Sequence, residues 1–237
     1  MQRVLMIIPA YNEEKSILSV VENIKKVKTK DFMLDYIVVN DGSKDKTREV
    51  LIKNKLNFID LPCNLGIGGA VQTGYKYAFY HDYDIAIQFD GDNQHDASFI
   101  PDLVTNIKKG NDLVIGSRFV GDLSEFKSSK LRRMGINLLS GIIKICTGVK
   151  IYDVTSGYRA CNKKLISYFA NNYPVDYPEP DSLVQVLKMK YKVREIPVVM
   201  HERKTGKSSI NGFKSIYYMI KVILAIIIAD ISTKGDD

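Results

Sequence analysis

Short apolar runs alternate with longer amphipathic segments through the first half of the chain. The runs are rich in Val and Ile and predict strands at Val4–Pro9, Tyr36–Asn40, Asn57–Leu61, Ile85–Asp90 and Asp112–Gly116. Between them, apolar residues at helical spacing predict helices at Glu13–Lys28, Lys44–Asn54, Gly68–Tyr80 and Ser98–Lys109. Because strands and helices that alternate with short connections form doubly wound sheets, the predicted fold class is α/β with a mostly parallel central sheet.

The pattern changes after Gly116. Helical spacing continues at Ser129–Cys146 and Pro180–Lys190, and extended segments are predicted at Val154–Cys161 and Val193–Met200. A basic polar loop, residues 201–209, leads into a strongly apolar helix from Ile210 to Ile231. We therefore expect one domain over residues 1–209 and a C-terminal helix with a polar tail over residues 210–237.

Neither end of the chain is expected to cross a membrane. The apolar run Val222–Ala229 would span about 12 Å as a helix, against roughly 30 Å of hydrocarbon. Extending it towards the N-terminus places Lys221 inside the span. The first apolar run is followed by Glu13 and Glu14 instead of a small-residue cleavage site, which favours a buried first strand over a signal peptide.

The composition of the chain indicates which kinds of partner and which cellular compartment to expect. The chain has 237 residues, and its 34 Lys and Arg against 27 Asp and Glu give a net charge of +7, which favours anionic partners. No basic run with interleaved aromatic residues accompanies this charge, so we expect no nucleic-acid partner. Three cysteines without a CxxC pair argue against a disulfide scaffold or a zinc ribbon and favour a reducing cytosol.

The strongest local motif follows the fourth predicted strand. Asp90 and Asp92 are two residues apart at its carboxyl end, where open α/β sheets bind ligands. With the amide oxygen of Gln94 they form an incomplete oxygen shell, which suits Mg²⁺ or Mn²⁺ completed by substrate phosphates. The alternative is an Asx-rich turn that caps the helix beginning near Ser98. His95 is interpreted as a turn residue, since no second His or Cys lies at ligand spacing.

Three further polar loops follow the first three strands, at residues 9–14, 40–43 and 64–70. Loops of this kind can be ordinary helix caps and tight turns, or together they can cradle a nucleotide. In the second interpretation Asp41 accepts hydrogen bonds from a base or ribose, and glycines allow close backbone approach. Gly66 and Gly68 alone do not make a dinucleotide fingerprint, since the spacing is incomplete and the loop follows the third strand.

These motifs together carry a resemblance to a known family. The segments are IIPAYNEE, VVNDGSKDKT, NLGIGGAVQTG, FDGDNQHD, GSR and VTSGYRA, in this order between Val4 and Ser209. The chain resembles family 2 glycosyltransferases of the GT-A fold, and within them the branch of dolichol-phosphate mannose synthase and bacterial polyprenyl-phosphate glycosyltransferases. The resemblance implies a nucleotide-sugar donor, a polyprenyl phosphate acceptor and a divalent metal ion.

The resemblance also assigns roles to individual residues. It places the nucleotide at Pro9, Tyr11, Glu13, Asp41 and Gly68, and the metal at Asp90, Asp92 and Gln94. It places positive charge for the donor and acceptor phosphates at Arg118, at Arg132 or Arg133, and at Arg203, and it places Asp153, Ser156 and Arg159 beside the acceptor pocket. Alternatively, Arg132 and Arg133 belong to a solvated surface, and Arg159 is a structural ion-pair partner.

Two loops each have two interpretations: the basic loop at residues 201–209, which follows the last predicted strand, and the acidic segment around Glu179 and Asp181, which precedes that strand. Arg203 and Lys207 would help bind phosphate in a loop that folds over the donor, or belong to a mobile solvated loop. Glu179 or Asp181 would take a proton if the acceptor were a sugar hydroxyl, or cap the helix beginning at Ser182. A phosphate acceptor needs no strong base, because it is largely a dianion at neutral pH.

The predicted reaction is an inverting transfer of a hexose from UDP-glucose or a UDP-N-acetylhexosamine to polyprenyl phosphate, with GDP-mannose as the alternative donor. Two other classes are less consistent with the sequence. A nucleotidyltransferase would carry a basic Gly-rich loop after the first strand, where Glu13 and Glu14 stand, and a silent scaffold would not need Asp90, Asp92, Gln94 and Arg118. We expect a cytoplasmic protein on the inner face of the cell membrane. Its last helix would contact the membrane surface, a second subunit or its own domain.

Overall fold

The computed structural model describes residues 1–121, 130–201 and 213–233, with side chains for all of these except residues 130–132 and 213–218. The strands are β1 (Gln2–Ala10), β2 (Phe32–Asn40), β3 (Phe58–Asp60), β4 (Ile85–Gln88), β5 (Leu113–Ser117), β6 (Arg159–Asn162) and β7 (Val193–Pro197). The helices are α1 (Ile17–Lys25), α2 (Thr47–Lys53), α3 (Gly66–Tyr80), α4 (Ile100–Lys108), α5 (Lys130–Thr147), α6 (Lys163–Asn171), α7 (Pro178–Lys188) and α8 (Phe213–Ser232). A short 3-10 turn, Ala97–Phe99, precedes α4.

In the described residues, the strands form one seven-stranded sheet in the order β3-β2-β1-β4-β6-β5-β7. The neighbours β3, β2, β1 and β4 are all parallel, and β5 is parallel to β7. The pairing register aligns the ends of β1 and β2, with Ala10 opposite Asn40, and brings Ile7 of β1 opposite Gln88 of β4. The loops that follow β1, β2 and β4 therefore meet at one edge of the sheet.

Strand β6 runs antiparallel to both of its neighbours, β4 and β5. Its first residue, Arg159, pairs with Gln88 at the carboxyl end of β4 and with Ile115 of β5. The predicted mostly parallel α/β sheet is therefore confirmed, with one strand of opposite direction. Because β6 begins where β4 ends, the segment that precedes β6 reaches the same edge as the loops after the parallel strands.

Helices cover both faces of the sheet. Alternate residues of β1 enter different cores: Val4, Met6 and Ile8 pack with α1, α2 and α4, whereas Leu5 and Ile7 pack with the remaining helices. This explains why β1 is a continuous apolar run instead of an alternating one, since both faces of a covered parallel sheet are buried.

Helix α8 packs against α5 and α7. Its buried residues, Val222, Ile226 and Ala229, recur at helical spacing and belong to the same core as α3 and α6. A contact of 2.8 Å between Lys188 Nζ and Asp230 Oδ1 joins α7 to α8. Within the described residues, no helix combines the length and apolar character that a membrane span requires.

Several predicted boundaries differ from the observed ones. Helix α1 begins at Ile17 instead of Glu13, because Asn12 has a left-handed backbone and its side chain accepts hydrogen bonds from the amides of Lys44 and Asp45. Helix α6 was not predicted at all. Residues 154–158 are a turn followed by an irregular segment instead of strand, since Ser156 Oγ donates to the Gly116 carbonyl and holds the segment against the end of β5.

Candidate functional site

A cleft of about 410 Å³ opens at the carboxyl ends of β1, β2 and β4. It is lined by residues of the loops after these strands, by the first turn of α3 and by the first turn of α7. Seven of the predicted site residues contribute to its wall: Pro9, Tyr11, Glu13, Asp41, Asp90, Asp92 and Glu179. The sheet register thus brings together residues that are up to 170 positions apart in the sequence (179 minus 9).

Asp41 links the loop after β2 to the start of α3. Its Oδ1 accepts a hydrogen bond of 2.7 Å from the amide of Leu65, and its own amide donates to the Ala10 carbonyl at 2.9 Å. Burial raises the pKa of Asp41, while the amides of Leu65 and Gly66 oppose this shift. Asp41 therefore shapes the turn before α3 and also presents a carboxylate to the cleft.

The loop after β1 is fixed by the loop after β2. The amide of Glu13 donates to Thr47 Oγ1 at 2.8 Å, and the amide of Asn12 donates to Ser43 Oγ at 3.0 Å. The Glu13 carboxylate accepts a hydrogen bond from Ser16 Oγ. Tyr11, by contrast, is exposed at the cleft wall.

Asp90 and Asp92 lie on a turn that crosses close behind β1. A methyl group at Gly91 would lie 3.0 Å from the Pro9 carbonyl oxygen, so a small residue is needed between the two carboxylates. Asp92 Oδ1 accepts a hydrogen bond of 3.1 Å from the Gln94 amide, which is the geometry of an Asx turn. The turn and the ligand interpretations of this motif are therefore compatible.

Gln94 is bonded to His201 instead of lining the cleft. Its side-chain amide donates to the His201 carbonyl at 3.4 Å, and its own carbonyl accepts from the His201 amide at 2.8 Å. Gln94 is not among the residues that line the cleft. Its predicted role as a metal ligand stays a prediction.

The donor set fits a divalent cation that is shared with a substrate. Asp90 and Asp92 supply carboxylate oxygens, which Mg²⁺ and Mn²⁺ prefer. Within the described part of the chain, no three His, Cys, Asp or Glu residues are grouped as a complete metal site. Two carboxylates in an open cleft form a partial shell that phosphate oxygens can complete.

Glu179 approaches the same cleft from α7. Its Oε1 accepts a hydrogen bond of 3.3 Å from Gln88 Nε2, and Gln88 Oε1 in turn accepts one of 3.3 Å from the Tyr173 hydroxyl. Burial raises the pKa of Glu179, the guanidinium of Arg159 opposes the shift, and the Asp90 carboxylate adds to it. The result is a carboxyl group that is easier to protonate than an ordinary glutamate.

Arg159 holds the backbone around the cleft. Its guanidinium is buried and donates to the carbonyls of Ser156, Glu179 and Val154, at 2.7, 2.7 and 3.0 Å. These bonds join the turn before β6 to the first turn of α7. Arg159 thus positions the backbone that carries Glu179.

Arg118 and Asp153 form a buried bidentate pair. The Arg118 Nε and Nη2 atoms donate to the Asp153 carboxylate at 2.8 and 2.6 Å, and Nη2 also donates to Thr155 Oγ1 at 3.0 Å. Both residues are at most 6% exposed. The pair fastens the turn before β6 to the end of β5, and Arg118 is not part of the cleft wall.

Of the remaining predicted site residues, some are described but do not line the cleft, and the others have side chains that the structure does not describe. Gly68 faces the carbonyls of Pro174 and Val175, so its missing side chain lets that loop pass. The Asp181 carboxylate accepts a hydrogen bond from Gln185 within α7, and the guanidinium of Arg133 stacks on the Phe119 ring at 3.8 Å. The side chains of Arg132, Arg203 and Lys207 are not described.

Sequence reasoning missed several residues that surround the carboxylates. His95 Nε2 lies 3.1 Å from Asp90 Oδ2, and a methyl group at Gly157 would lie 3.1 Å from both carboxylate oxygens of Asp90. Gln88 is fully buried next to Glu179. The sequence did contain one indication: Gln88 is a polar residue at the end of the otherwise apolar strand Ile85–Gln88. Because buried polar side chains are nearly always hydrogen-bonded, a Gln at this position predicts a polar partner nearby.

Comparisons with known proteins agree with this geometry. The family model described as "Glycosyl transferase family 2" matches residues 6–169. The UDP-N-acetylglucosamine–dolichyl-phosphate N-acetylglucosaminyltransferase of Methanococcus voltae is 30% identical over 92% of this chain and 94% of that protein. The polyprenol monophosphomannose synthase of Mycolicibacterium smegmatis is 25% identical over 93% of this chain and 86% of that protein.

The fold is shared with a glycosyltransferase of known structure. Glucosyl-3-phosphoglycerate synthase from Mycobacterium tuberculosis, crystallised with Mn²⁺, UDP-glucose and phosphoglyceric acid, superposes with a TM-score of 0.73 at 18% identity. The match covers 99% of this chain and 81% of that one. The chain therefore belongs to glycosyl transferase family 2, and it is a glycosyltransferase with the GT-A fold.

Proposed function

We propose that the protein transfers a hexose, with inversion, from a nucleotide-diphosphate sugar to a polyprenyl phosphate. The observation that carries this proposal is the single cleft that holds Asp41, Asp90, Asp92 and Glu179 at the carboxyl edge of the sheet. By their names, one of the two relatives described above acts on dolichyl phosphate and the other synthesises polyprenol monophosphomannose, which supports the acceptor class.

The nucleotide end of the donor fits the part of the cleft between β1, β2 and α3. Asp41 offers a carboxylate acceptor for the hydroxyl and amine donors of a nucleoside. Gly66, Ile67 and Ala70 in the first turns of α3 also line the cleft. The amino end of a helix attracts phosphate, because its free amides and its dipole both favour negative charge.

Asp90 and Asp92 would hold the divalent cation, and Gln94 stays a predicted third ligand. When bound, the cation supplies positive charge against the negative charge that develops on the departing diphosphate. Asp90 itself is held close to the Gly157 backbone, and Asp92 is held by its Asx turn. Both carboxylates are therefore oriented before substrate arrives.

A second candidate acceptor is a saccharide hydroxyl, and the raised pKa of Glu179 favours it. A hydroxyl must lose a proton as it attacks, and a general base works best when its pKa lies near the working pH. Glu179 lines the cleft, whereas the Asp181 carboxylate is engaged with Gln185 in α7. Glu179 is consequently the base that this alternative requires.

The acceptor and the donor can be identified in one screen. UDP-glucose, UDP-N-acetylglucosamine and GDP-mannose are offered with Mn²⁺ and either undecaprenyl phosphate, dolichyl phosphate or a soluble saccharide, and released nucleoside diphosphate is measured. We expect release only with a polyprenyl phosphate, with a UDP-sugar preferred over GDP-mannose. The Glu179→Gln variant should retain turnover within about tenfold of the wild type, because a phosphate dianion brings no proton to remove.

The Asp181→Asn variant is the matched control, since it changes a carboxylate in the same helical turn outside the cleft wall. Release with the saccharide, together with a loss of about 10²–10⁴-fold in Glu179→Gln, would establish the hydroxyl acceptor instead.

We also propose that the outer surface of α5 and α8 rests on the membrane that holds the acceptor. Its apolar residues are exposed at helical spacing on two neighbouring helices: Met134, Leu138 and Ile145 on α5, and Ile220, Leu224, Ile227, Ile228 and Ile231 on α8. They lie opposite the residues that α5 and α8 bury. An apolar helix face together with a net charge of +7 fits the anionic inner leaflet of the cell membrane.

The double variant Leu224→Glu with Ile228→Glu should weaken sedimentation with anionic liposomes at least about tenfold, because each change removes an apolar contact and adds a repelled charge. Ile52→Glu on α2 introduces the same charge at an exposed apolar position away from α5 and α8, and should bind as the wild type does. Unchanged binding by the double variant would refute the membrane surface. Sedimentation equilibrium without lipid would then show whether a second copy covers it.

A further inference from the structure

His95 lies directly behind the candidate metal ligand Asp90. Its Nε2 atom is 3.1 Å from Asp90 Oδ2. The His95 side chain is 3% exposed, whereas the Asp90 side chain is 35% exposed and lines the cleft. The buried imidazole thus contacts a carboxylate that is itself open to the cleft, and His95 is not among the residues that line this cleft.

Aromatic neighbours fix the plane of the His95 ring. It stacks on Tyr158 with ring centroids 4.8 Å apart and planes inclined by 27°, and it meets the edge of Phe89 at 5.3 Å. Phe89 is the residue immediately before Asp90, and the Tyr158 hydroxyl donates to the Asp96 carbonyl at 3.1 Å. Because Tyr158 covers one face of the ring and Phe89 packs against it edge-on, the imidazole cannot turn away from Asp90 without breaking these two contacts.

The polar atoms of this imidazole have few alternatives to Asp90. Among the described residues, neither ring nitrogen has a hydrogen-bond partner of standard geometry, so the approach of Nε2 to Asp90 is close but not linear. A buried polar group that is left without a hydrogen-bond partner destabilises the folded protein. A nearby carboxylate offsets this destabilisation, and a small turn of the Asp90 side chain would complete the hydrogen bond.

Backbone also lies close to the Asp90 carboxylate. A methyl group at Gly157 would lie 3.1 Å from both carboxylate oxygens, closer than most carbon contacts. Asp90 is therefore contacted by the imidazole of His95 and approached closely by the backbone of Gly157. Its open direction is the cleft.

We propose that His95 is a positioning residue that fixes the orientation of the Asp90 carboxylate for the divalent cation. This role rests on the proposed function, since the cation belongs to it. Groups that hold a metal ligand from behind typically change metal affinity 10–100-fold when they are replaced.

The test measures Mn²⁺ binding directly, by electron paramagnetic resonance of free Mn²⁺ during titration of the protein with UDP or GDP present. His95→Phe keeps an aromatic ring between Phe89 and Tyr158 but removes the nitrogen that faces Asp90. We expect its Kd for Mn²⁺ to rise about 10–100-fold, with kcat at saturating Mn²⁺ changed much less. His95→Gln carries a nitrogen at the same distance along the side chain and should recover most of the affinity.

Two control variants, Tyr158→Phe and Asp90→Asn, distinguish a failure of the positioning role of His95 from a failure of the proposed function. Tyr158→Phe removes the hydroxyl contact with Asp96 but keeps the ring stack, and should bind Mn²⁺ as the wild type does. Wild-type Mn²⁺ affinity in His95→Phe, while Asp90→Asn loses binding, would overturn the positioning role and leave the proposed function standing. A wild-type protein that binds no Mn²⁺ with either nucleotide would overturn both.

Discussion

Replacing Asp92 with Asn is expected to lower sugar transfer about 10²–10³-fold while the protein stays folded. The change keeps the size of the side chain and an oxygen that can accept the Gln94 amide bond, so the Asx turn survives. It removes the negative charge that would hold a cation against the diphosphate. Turnover is measured as released nucleoside diphosphate, and folding as the thermal unfolding midpoint. Asp90→Asn should behave in the same way.

Asp96→Asn provides the control in the same loop. Asp96 caps the turn before α4 through a 2.9 Å bond from the Ser98 amide, a bond that Asn can also accept, and it does not line the nucleotide cleft. The Asp96→Asn variant should therefore have a turnover close to that of the wild type.

Removing the divalent cation is a separate test of the same reaction. A chelator should abolish turnover of the wild type, and added Mn²⁺ or Mg²⁺ should restore it. Wild-type turnover in excess chelator would contradict the proposed metal-assisted reaction.

The Asp153→Ala substitution is expected to cause the largest loss of stability, about 3–5 kcal/mol, because it leaves the Arg118 guanidinium buried without its carboxylate. In a chain of this length such a loss lowers the unfolding midpoint by about 10 °C. Thermal and chemical unfolding measure the effect. The exposed pair between Lys163 and Asp82 is the matched control, and Lys163→Ala, which breaks this pair from its side in α6, should leave the midpoint nearly unchanged.

A double variant separates the structural role of Arg118 from its predicted role in phosphate binding. Arg118→Met together with Asp153→Leu replaces the buried pair with apolar groups of similar size, which is often neutral for stability. Asp153 Oδ2 also accepts the backbone amide of Arg118 at 2.9 Å, so part of the stability stays lost in the double variant. Since the guanidinium is engaged by Asp153 and Thr155 outside the cleft wall, we expect the rest of the stability and most of the activity to return. A stable double variant without activity would support the phosphate-binding role instead.

The first half of the fold could be predicted from the sequence because its elements are locally encoded. Strands β1, β4 and β5 are apolar runs that are buried on both faces, β2 is buried over its second half, and each helix that follows a strand has an apolar stripe. Only the boundaries moved, as at α1, where side-chain bonds between the loops after β1 and β2 replaced the first helical turn. Such contacts join residues about 30 positions apart and leave no periodic pattern.

The second half was predicted less well because its structure depends on distant partners. Helix α6 has a local pattern, since Asn162 caps it and Leu165, Ile166, Phe169 and Ala170 are buried, but it follows β6 without a break. The direction of β6 has no local indication, because a strand of four residues has the same pattern in a parallel and an antiparallel sheet. Only its pairing with β4 and β5 decides it.

The candidate site shows the same division. The motif around Asp90 and Asp92 was recognisable, because two carboxylates two residues apart follow an apolar strand that ends at the ligand-binding edge of the predicted sheet. The neighbours of the carboxylates were not predicted: Gly157 reaches Asp90 and Gln88 reaches Glu179 only in the folded sheet, and the contact of His95 with Asp90 has no sequence pattern. Arg159 was assigned to the acceptor, yet its donors are taken up by backbone carbonyls.

The position of β6 also constrains the order in which the protein can fold. Strands β1 to β4 and the helices between them form a continuous segment of the chain, and all the strand partners of this segment are present once β4 has been made, although β1 pairs with β4 across 81 positions (85 minus 4). Strand β5 does not pair with β4 and joins the sheet only through β6, which is made more than 40 residues later. A ribosome-bound chain that ends before residue 157 therefore lacks both the Gly157 backbone that lies close to Asp90 and the Arg159 side chain that holds the Glu179 carbonyl. Donor binding should appear late during synthesis, after the nucleotide half has already collapsed.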